Sequence, residues 1–364
     1  MFELALSNNS TSAPRIRRQA QQDGAEFSYV DADRWRDRFP MCGGTAQSPV
    51  NLRPFDCNRL QGGRSSLTFI NAFTPPRTVE LINNGHTVRF VFHWNRNNTA
   101  RITGGPLNGA QYIPHEVHFH WTNGVFGGTE HAIYGFRFTM EMHVVCYNAK
   151  YRNLEEAMNF ADGILVLAQL FKRFIFGDRF HFLQTLPYVR RRGSRITINY
   201  LVHLFTLDSF LNVNRFNRNF VSYIGSLTTP PCREQIQWIV NVIPRKIAYK
   251  AMRLFNGLQG SEGFINDNVR PLQPMNGRPY VIQSVTSLAL LVEMPQLKAY
   301  VMQRRGEDWG SHECHTKRRS GKKALEKSTT NQRNGFVTQF SDYCEVYASL
   351  ELNRKSSAAH QAAL

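Results

Sequence analysis

The sequence predicts a mainly β fold: a mostly antiparallel sheet with short peripheral helices. Apolar runs rich in β-branched and aromatic residues recur between clusters of Gly, Pro and Asn, a pattern typical of strands and turns. These runs cover residues 88–92, 136–147, 164–171, 196–204 and 236–243. Only residues 154–160 and 246–258 have a composition that favours helices. The chain has 364 residues, and about 260 are enough for one large β-rich domain.

Three histidines in two predicted strands form the strongest functional signal. His118 and His120 are separated by one residue, so in a strand they project from the same face. Residues 122–129 are rich in Gly and Asn, and we expect them to lead into an antiparallel strand that carries His143 opposite the pair. Three imidazoles leave one tetrahedral position of a zinc ion open, which is typical of catalytic rather than structural zinc sites.

Two glutamates favour a metal site over the alternative, in which the histidines are ordinary core or edge residues. Glu116 lies two positions before His118, on the same face of the strand. Glu141 has the same relation to His143. Each carboxylate can therefore accept the ring N–H that metal binding leaves free. An unpaired carboxylate inside an apolar strand would cost several kcal/mol.

Motifs spread over residues 27–278 resemble those of the α-carbonic anhydrases. They occur in the family's order and spacing: Gln-Ser-Pro-Val-Asn at 47–51, Asn-Asn-Gly-His at 83–86, His-Phe-His-Trp at 118–121, Glu-His at 130–131, Glu-Met-His at 141–143, Asp-Gly-Ile-Leu-Val-Leu at 162–167 and Gly-Ser-Leu-Thr-Thr-Pro-Pro-Cys at 225–232. The last motif is the most specific. The resemblance implies a large, twisted central sheet with a metal ion in a conical cleft.

The resemblance implies a carbonate dehydratase, a zinc lyase that reversibly hydrates carbon dioxide to bicarbonate and a proton by attack of zinc-bound hydroxide. The implied ligands of Zn²⁺ are His118, His120 and His143. Thr228 would accept the hydrogen of the hydroxide and pass its own to Glu130. His86 would be the proton shuttle, since the ordinary pKa of histidine lies near neutrality. Without the resemblance, His86 and Thr228 are typical turn residues.

The resemblance also assigns the surroundings of the metal. The residues expected to line the substrate pocket are Val145, Val166, Leu227, Thr229 and Trp238. Taken alone, the apolar ones are typical of a core. An apolar pocket suits a substrate without charge or net dipole. The residues expected behind the ligands and along the proton path are Glu116, Glu141, Tyr29 and Asn84.

Three positions depart from the resembled family. Phe27 and Val269 replace tryptophans that are common there, and Glu116 replaces the usual glutamine. A carboxylate behind His118 adds negative charge, so we hypothesise that Glu116 makes the zinc less acidic than glutamine would.

Cysteine use suggests an extracellular protein. Extracellular members of the resembled family join the positions of Cys42 and Cys232, and such a bond persists in oxidising compartments. Reduced buried thiols are the alternative. No partner is assigned to Cys57, Cys146, Cys314 and Cys344. Residues 1–7 lack the charged start and sustained apolar region of a signal peptide, so secretion is expected from the cysteines and the resemblance alone.

Three segments are expected: a leader or linker at 1–25, a catalytic domain at 26–283 and a basic, largely flexible extension at 284–364. The net charge is +17, but the basic clusters are dispersed, which argues against a nucleic-acid groove. No stretch is long and apolar enough for a membrane span. An acidic surface or matrix is a possible partner of the extension. The alternative function is a catalytically silent, carbonic-anhydrase-like binding module, or a matrix protein acting through this extension.

Overall fold

The structure is a computed structural model that describes residues 27–54, 60–62, 66–124, 126–178, 180–199, 202–217 and 219–283. The predicted leader, the predicted extension, Cys57, Cys314 and Cys344 lie outside these residues. The strands are β1 (Asn51–Leu52), β2 (Leu60–Gly62), β3 (Leu67–Ile70), β4 (Thr78–Asn83), β5 (Val88–His93), β6 (Arg101–Gly104), β7 (Tyr112–Trp121), β8 (Ala132–Ile133), β9 (Met140–Asn148), β10 (Ile164–Phe174), β11 (Arg195–Ile198), β12 (Phe220–Ser226), β13 (Glu234–Ala248), β14 (Gln259–Gly260), β15 (Gly263–Phe264) and β16 (Tyr280–Gln283).

In the described part of the chain, twelve strands form one sheet in the order β11-β4-β5-β7-β9-β10-β13-β12-β16-β2, and β6 joins β3 to β7. The pairs β10/β13 and β16/β2 are parallel, and the other pairs of this sheet are antiparallel. The predicted mainly β, mostly antiparallel fold is therefore confirmed. β1/β8 and β14/β15 form two small separate sheets.

Helices are short and connect the strands. The α-helices are α1 (Trp35–Arg38), α2 (Leu154–Ala157), α3 (Leu207–Leu211), α4 (Val213–Phe216) and α5 (Tyr249–Asn256), and the 3₁₀ helices span Ala32–Arg34, Pro40–Gly43, Arg96–Asn98, Gly105–Leu107, His181–Val189 and Val202–Leu204. α2 begins where Asn153 Oδ1 accepts the Glu156 N–H at 2.8 Å, as an N-cap asparagine should. Within the described residues, no helix is long and apolar enough to cross a bilayer.

Several predicted elements have other bounds in the structure: the strand predicted at 136–147 begins at Met140, and the helix predicted at 154–160 ends at Ala157. The strand predicted at 196–204 is β11 and ends at Ile198, opposite Val79, and Val202–Leu204 form a 3₁₀ helix instead. The helix predicted from residue 246 begins at Tyr249, since β13 continues alongside β10 through Ala248.

The central strands are buried on both faces, which explains their nearly continuous apolar sequences. In β9 the side chains of Met140, Met142 and Val144 enter the larger core. The alternate residues point to the opposite face, where Val145 joins a second core. Glu141 and His143 share this second face with Val145. A polar site is therefore built into a sheet that is otherwise packed with apolar side chains.

An irregularity in β7 determines which residues face each other. The pairing with β9 shifts between Pro114 and Glu116, which places an extra residue, His115, in β7. Beyond this bulge His118 lies opposite His143. Since one residue of slip moves every side chain to the other face, the bulge puts the histidines of both strands on one face.

The predicted disulfide between Cys42 and Cys232 is confirmed. Both cysteines are buried against Trp35 in a small third core. The Arg270 guanidinium lies 5.6 Å from the Trp35 ring and donates to the Cys42 carbonyl at 3.0 Å. The disulfide therefore ties the N-terminal helices to the loop between β12 and β13.

Replacing both Cys42 and Cys232 by serine should lower the free energy of unfolding. The bond closes a loop with a sequence separation of 190, for which the chain-entropy relation gives about 5 kcal/mol. Urea unfolding of the oxidised protein and of the double variant measures the difference. Reductant should destabilise the natural protein and leave the variant unchanged. Equal stability of the two oxidised proteins would contradict the expectation.

Candidate metal centre

The three predicted ligand histidines converge. One ring nitrogen from each of His118, His120 and His143 lies within 4.8 Å of the other two. His118 Nε2 is 3.3 Å from His143 Nδ1. Among the described residues, buried His120 Nε2 has no hydrogen-bond partner. A buried nitrogen without a partner is costly, and a metal ion at the centre of the three rings would remove that cost.

The other nitrogen of each ring lies against an acceptor. The three contacts are His118 Nδ1 to Glu116 Oε1 at 3.2 Å, His120 Nδ1 to the Asn268 carbonyl at 2.8 Å and His143 Nε2 to Glu141 Oε1 at 2.8 Å. These acceptors orient the rings and leave lone pairs on the converging nitrogens. Burial lowers the pKa of His120 and of His143, against the opposing effect of nearby carboxylates. Both rings therefore favour the neutral form that metal binding requires.

Glu116, which departs from the resembled family, is paired with an arginine. Arg89 on β5 donates from Nε to Glu116 Oε2 at 3.0 Å and makes a second contact through Nη2. Burial acts to raise the pKa of Glu116, but Arg89 and His118 hold it well below its ordinary value. The hypothesis that Glu116 makes the zinc less acidic depends on the negative charge of this carboxylate. The positive charge of Arg89 offsets part of it.

Glu141 lies in a chain of buried hydrogen bonds. It contacts His131 twice, with Oε1 at 2.6 Å from Nδ1 and Oε2 accepting the backbone N–H at 2.8 Å. His131 Nε2 is 2.7 Å from the hydroxyl of Tyr223, which is 2.8 Å from Ser48 Oγ. Burial acts to raise the pKa of Glu141, but His131 and His143 hold it well below its ordinary value. The carboxylate behind His143 is therefore kept ionised and is held by three hydrogen-bond contacts.

Glu130 and Thr228 lie beside the cluster, and both are buried. Glu130 Oε1 is 3.5 Å from His120 Nδ1 and accepts the Arg270 N–H at 3.1 Å. Burial raises the pKa of Glu130; His120, the Arg270 amide and the Thr228 side chain act in the opposite direction. The net effect is a raised pKa of Glu130, and the Thr228 side chain is its hydrogen-bond partner.

His86 lies in a turn next to an aromatic cluster. Asn84 Oδ1 accepts the N–H groups of His86 at 3.0 Å and Thr87 at 2.9 Å, so Asn84 holds the turn itself. The His86 ring stacks on Phe27, with 4.0 Å between centroids, and lies 6.4 Å from the Tyr29 ring. Burial and Arg192 lower the pKa of His86. Burial, Glu130 and other charges raise the pKa of Tyr29 well above its ordinary value.

The predicted apolar wall lies next to His143. Val166 on β10 pairs with Val145 on β9 and with Trp238 on β13. The Trp238 and His143 ring centroids are 4.9 Å apart. Leu227 packs against this second core from the loop that follows β12, and Thr229, two residues further along the chain, is partly buried.

Sequence reasoning missed three residues that support the cluster: Arg89, Asn268 and Arg270. Asn268 accepts from Trp121 N–H at 2.6 Å through its side chain and donates to the carbonyls of Phe119 and His86, both at 2.9 Å. Its own carbonyl holds His120. No local pattern identifies these residues, because their partners lie far away in the sequence. The contact between Arg89 and Glu116 was predictable only from the pairing of β5 with β7.

The fold and the cluster together define a protein with three histidines placed to hold a metal ion, set in a large β sheet. A profile of the eukaryotic-type carbonic anhydrase family matches residues 30–284, and the chain belongs to this family. It is 31% identical over 270 residues to carbonic anhydrase 6 of Canis lupus familiaris, covering 71% of this chain and 80% of the relative.

Two further relatives extend the comparison. Carbonic anhydrase 6 of Bos taurus is 32% identical over 264 residues, which cover 70% of this chain and 79% of the relative. Carbonic anhydrase 1 of Mus musculus is 30% identical over 268 residues, which cover 71% of this chain and 97% of the relative. The similarity thus spans nearly the whole length of the mouse relative.

Replacing Arg89 by glutamine should lower the free energy of unfolding by about 3–5 kcal/mol, because it leaves a buried carboxylate unpaired. The control is Arg195→Gln, which removes a pair with Glu80 whose arginine is 47% exposed and should cost less than about 1 kcal/mol. The double variant Arg89→Gln with Glu116→Gln should regain most of the loss. Urea unfolding of chelator-treated protein measures all three; equal effects of the two single variants would refute a compensating role for Arg89.

Proposed function

We propose that the protein catalyses the zinc-dependent, reversible hydration of carbon dioxide to bicarbonate and a proton. The observation that carries the proposal is the convergence of three ring nitrogens whose opposite nitrogens are each held by an acceptor. Three neutral imidazoles suit Zn²⁺ and leave its fourth position open. When bound there, zinc supplies hydroxide at neutral pH for addition to carbon dioxide.

Thr228 and Glu130 form the proposed orienting pair. Burial raises the pKa of Glu130, so the proposed role requires the ionised form; an ionised carboxylate only accepts hydrogen bonds, and the Thr228 hydroxyl then directs its hydrogen toward Glu130. Its oxygen then faces the site as an acceptor. A nucleophile that donates to Thr228 has its lone pair fixed toward the substrate, and this positioning lowers the barrier. The Arg270 amide holds Glu130 in place for this role.

The proposed substrate pocket combines Val145, Val166, Leu227 and Trp238 with Thr229 at its polar edge. Carbon dioxide carries no charge and no net dipole, so an apolar wall beside the histidines suits it. Trp238 Nε1 donates to the Ser226 carbonyl at 2.9 Å, which leaves the apolar ring surface for the pocket. The wall is rigid because its β strands are buried in the second core.

His86 is the proposed proton shuttle. The His86 ring stacks on Phe27 and the residue is partly exposed. The Asn84 side chain accepts the His86 backbone N–H and so fixes the turn. A neutral imidazole accepts a proton from the site through water and releases it to buffer. Tyr29 supports the same cluster of rings and, with its pKa raised, stays a neutral hydrogen-bonding group.

We further propose that the protein works outside the cell. The Cys42–Cys232 disulfide supports this location, since such bonds persist in oxidising compartments. A partner of residues 284–364 remains a prediction, because these residues lie outside the described part of the chain.

Replacing His120 by alanine should abolish tight zinc binding and carbon dioxide hydration. Zinc content by atomic absorption and stopped-flow hydration are measured on the same samples, with chelator-treated natural protein alongside. His93→Ala, an exposed histidine at the end of β5, is the control and should keep both properties. A folded, zinc-loaded natural protein without hydration activity would favour the silent binding module.

Replacing His86 by alanine should lower kcat about tenfold or more and leave kcat/KM unchanged, because proton release follows the chemical step. Stopped-flow hydration in a weak, bulky buffer measures both constants, and added imidazole should restore kcat. A parallel fall in kcat/KM would place His86 in the chemical step instead.

Replacing Arg192 by glutamine should shift the acid limb of the kcat–pH profile to higher pH. Arg192 contributes to lowering the pKa of His86, and this keeps the ring neutral and able to accept a proton at lower pH. Without the arginine the pKa rises, so His86 becomes protonated earlier on acidification. An unchanged limb would show that another group limits proton transfer.

A further inference from the structure

An exposed apolar turn projects from the end of β10. Phe174, Ile175 and Phe176 are 47%, 77% and 80% exposed, and we name these three consecutive residues the apolar tip. Single exposed hydrophobic residues are common, whereas a contiguous exposed apolar patch is typical of an interaction site. The mechanism proposed above uses none of them.

The apolar tip is held in place by β13. Phe174 pairs with Ala248, and the Asp178 N–H donates to the Lys246 carbonyl at 2.9 Å. A Cβ atom at Gly177 would lie 2.3 Å from the Ala248 nitrogen, so only glycine lets the chain return this closely. The three apolar side chains are therefore presented on a short, braced turn.

Within the described residues, five cationic residues lie near the apolar tip in sequence, on the paired strand β13 or on the following helix α5. We call them the basic ring: Lys172, Arg173, Lys246, Lys250 and Arg253. Lys246 Nζ lies 4.8 Å from the Phe174 ring. The guanidinium groups of Arg173 and Arg253 lie 5.0 Å and 5.4 Å from the Tyr249 ring.

The two arginines share a shallow depression. Arg173, Tyr249, Arg253 and Asn256 line it, and the acidic residue next to the tip, Asp178, pairs with Arg245 at 2.7 Å. The surface beside the apolar tip is therefore positively charged, and its nearest carboxylate along the chain is already paired.

We propose that the apolar tip and the basic ring dock onto an anionic lipid surface. Large apolar side chains enter the boundary between headgroups and acyl chains, while lysine and arginine contact anionic headgroups. The depression with two guanidinium groups suits a lipid phosphate. A second copy of the chain is a poorer occupant, because two basic rings would face each other and repel.

The test is flotation of the full chain with two kinds of vesicle, phosphatidylcholine alone and phosphatidylcholine mixed with phosphatidylglycerol. The natural protein should bind the mixed vesicles. A variant with Phe174, Ile175 and Phe176 all replaced by serine should bind at least about tenfold more weakly. Phe73→Ser, a change at a 67% exposed residue between β3 and β4, should bind like the natural protein.

Charge is tested separately from apolar insertion. Arg173→Glu combined with Arg253→Glu should weaken binding to the mixed vesicles. The basic residues of 284–364 are intact in every variant, so equal binding by the natural and triple-serine proteins would overturn the proposal. It would also be overturned if size-exclusion chromatography with light scattering showed self-association that the triple-serine change abolishes, without vesicle binding by the natural protein. Unfolding curves of the variants confirm that the fold is intact.

Discussion

The register between β7 and β9 is the constraint on which the site depends. The bulge at His115 sets this register, and beyond it His118 faces His143 across the two strands. Side chains alternate between faces along a strand, so a slip of one residue would send the ligands of one strand into the larger apolar core. The cores on both faces oppose such a slip, because it would also expose or bury the wrong residues along the whole strand. The packing of the sheet thereby protects the geometry of a polar site that adds little apolar contact of its own.

The cost of burying charge explains the next layer of residues. Glu116, Glu130 and Glu141 are all buried, and each unpaired carboxylate would be unstable there. The chain pairs each one differently: Glu116 with Arg89, Glu141 with His131 and His143, and Glu130 with the Arg270 amide and the neighbouring Thr228 side chain. These partners lie on several strands and loops. The carboxylates thus orient the imidazoles and at the same time require the surrounding elements to be in place.

Sequence reasoning predicts those parts of the molecule that depend on local pattern. Alternation and spacing place His118 and His120 on one face and associate Glu116 and Glu141 with their histidines, and the apolar runs predict the central strands. Contacts between distant segments are different. Asn268 reaches His120, Trp121 and His86, yet nothing around residue 268 indicates those partners. Arg89 likewise cannot be identified from a local sequence pattern, because its contact with Glu116 depends on the pairing of β5 with β7. Competition between elements accounts for the boundary of α5, where pairing with β10 extends β13 by three residues beyond the predicted helix start.

Residues 268–270 show how remote parts of the chain are joined at the site. Asn268 links the His86 turn to His120, and the Arg270 amide holds Glu130. The Arg270 side chain also donates to the Gln47 side chain at 2.9 Å and to the Cys42 carbonyl at 3.0 Å, next to the disulfide. One short segment therefore connects the N-terminal helices, the candidate metal centre and the turn that carries His86. Because these contacts are long-range and buried, the geometry of the site depends on elements that are far apart in the sequence. The disulfide then acts on the site indirectly, by holding the segment that Arg270 anchors.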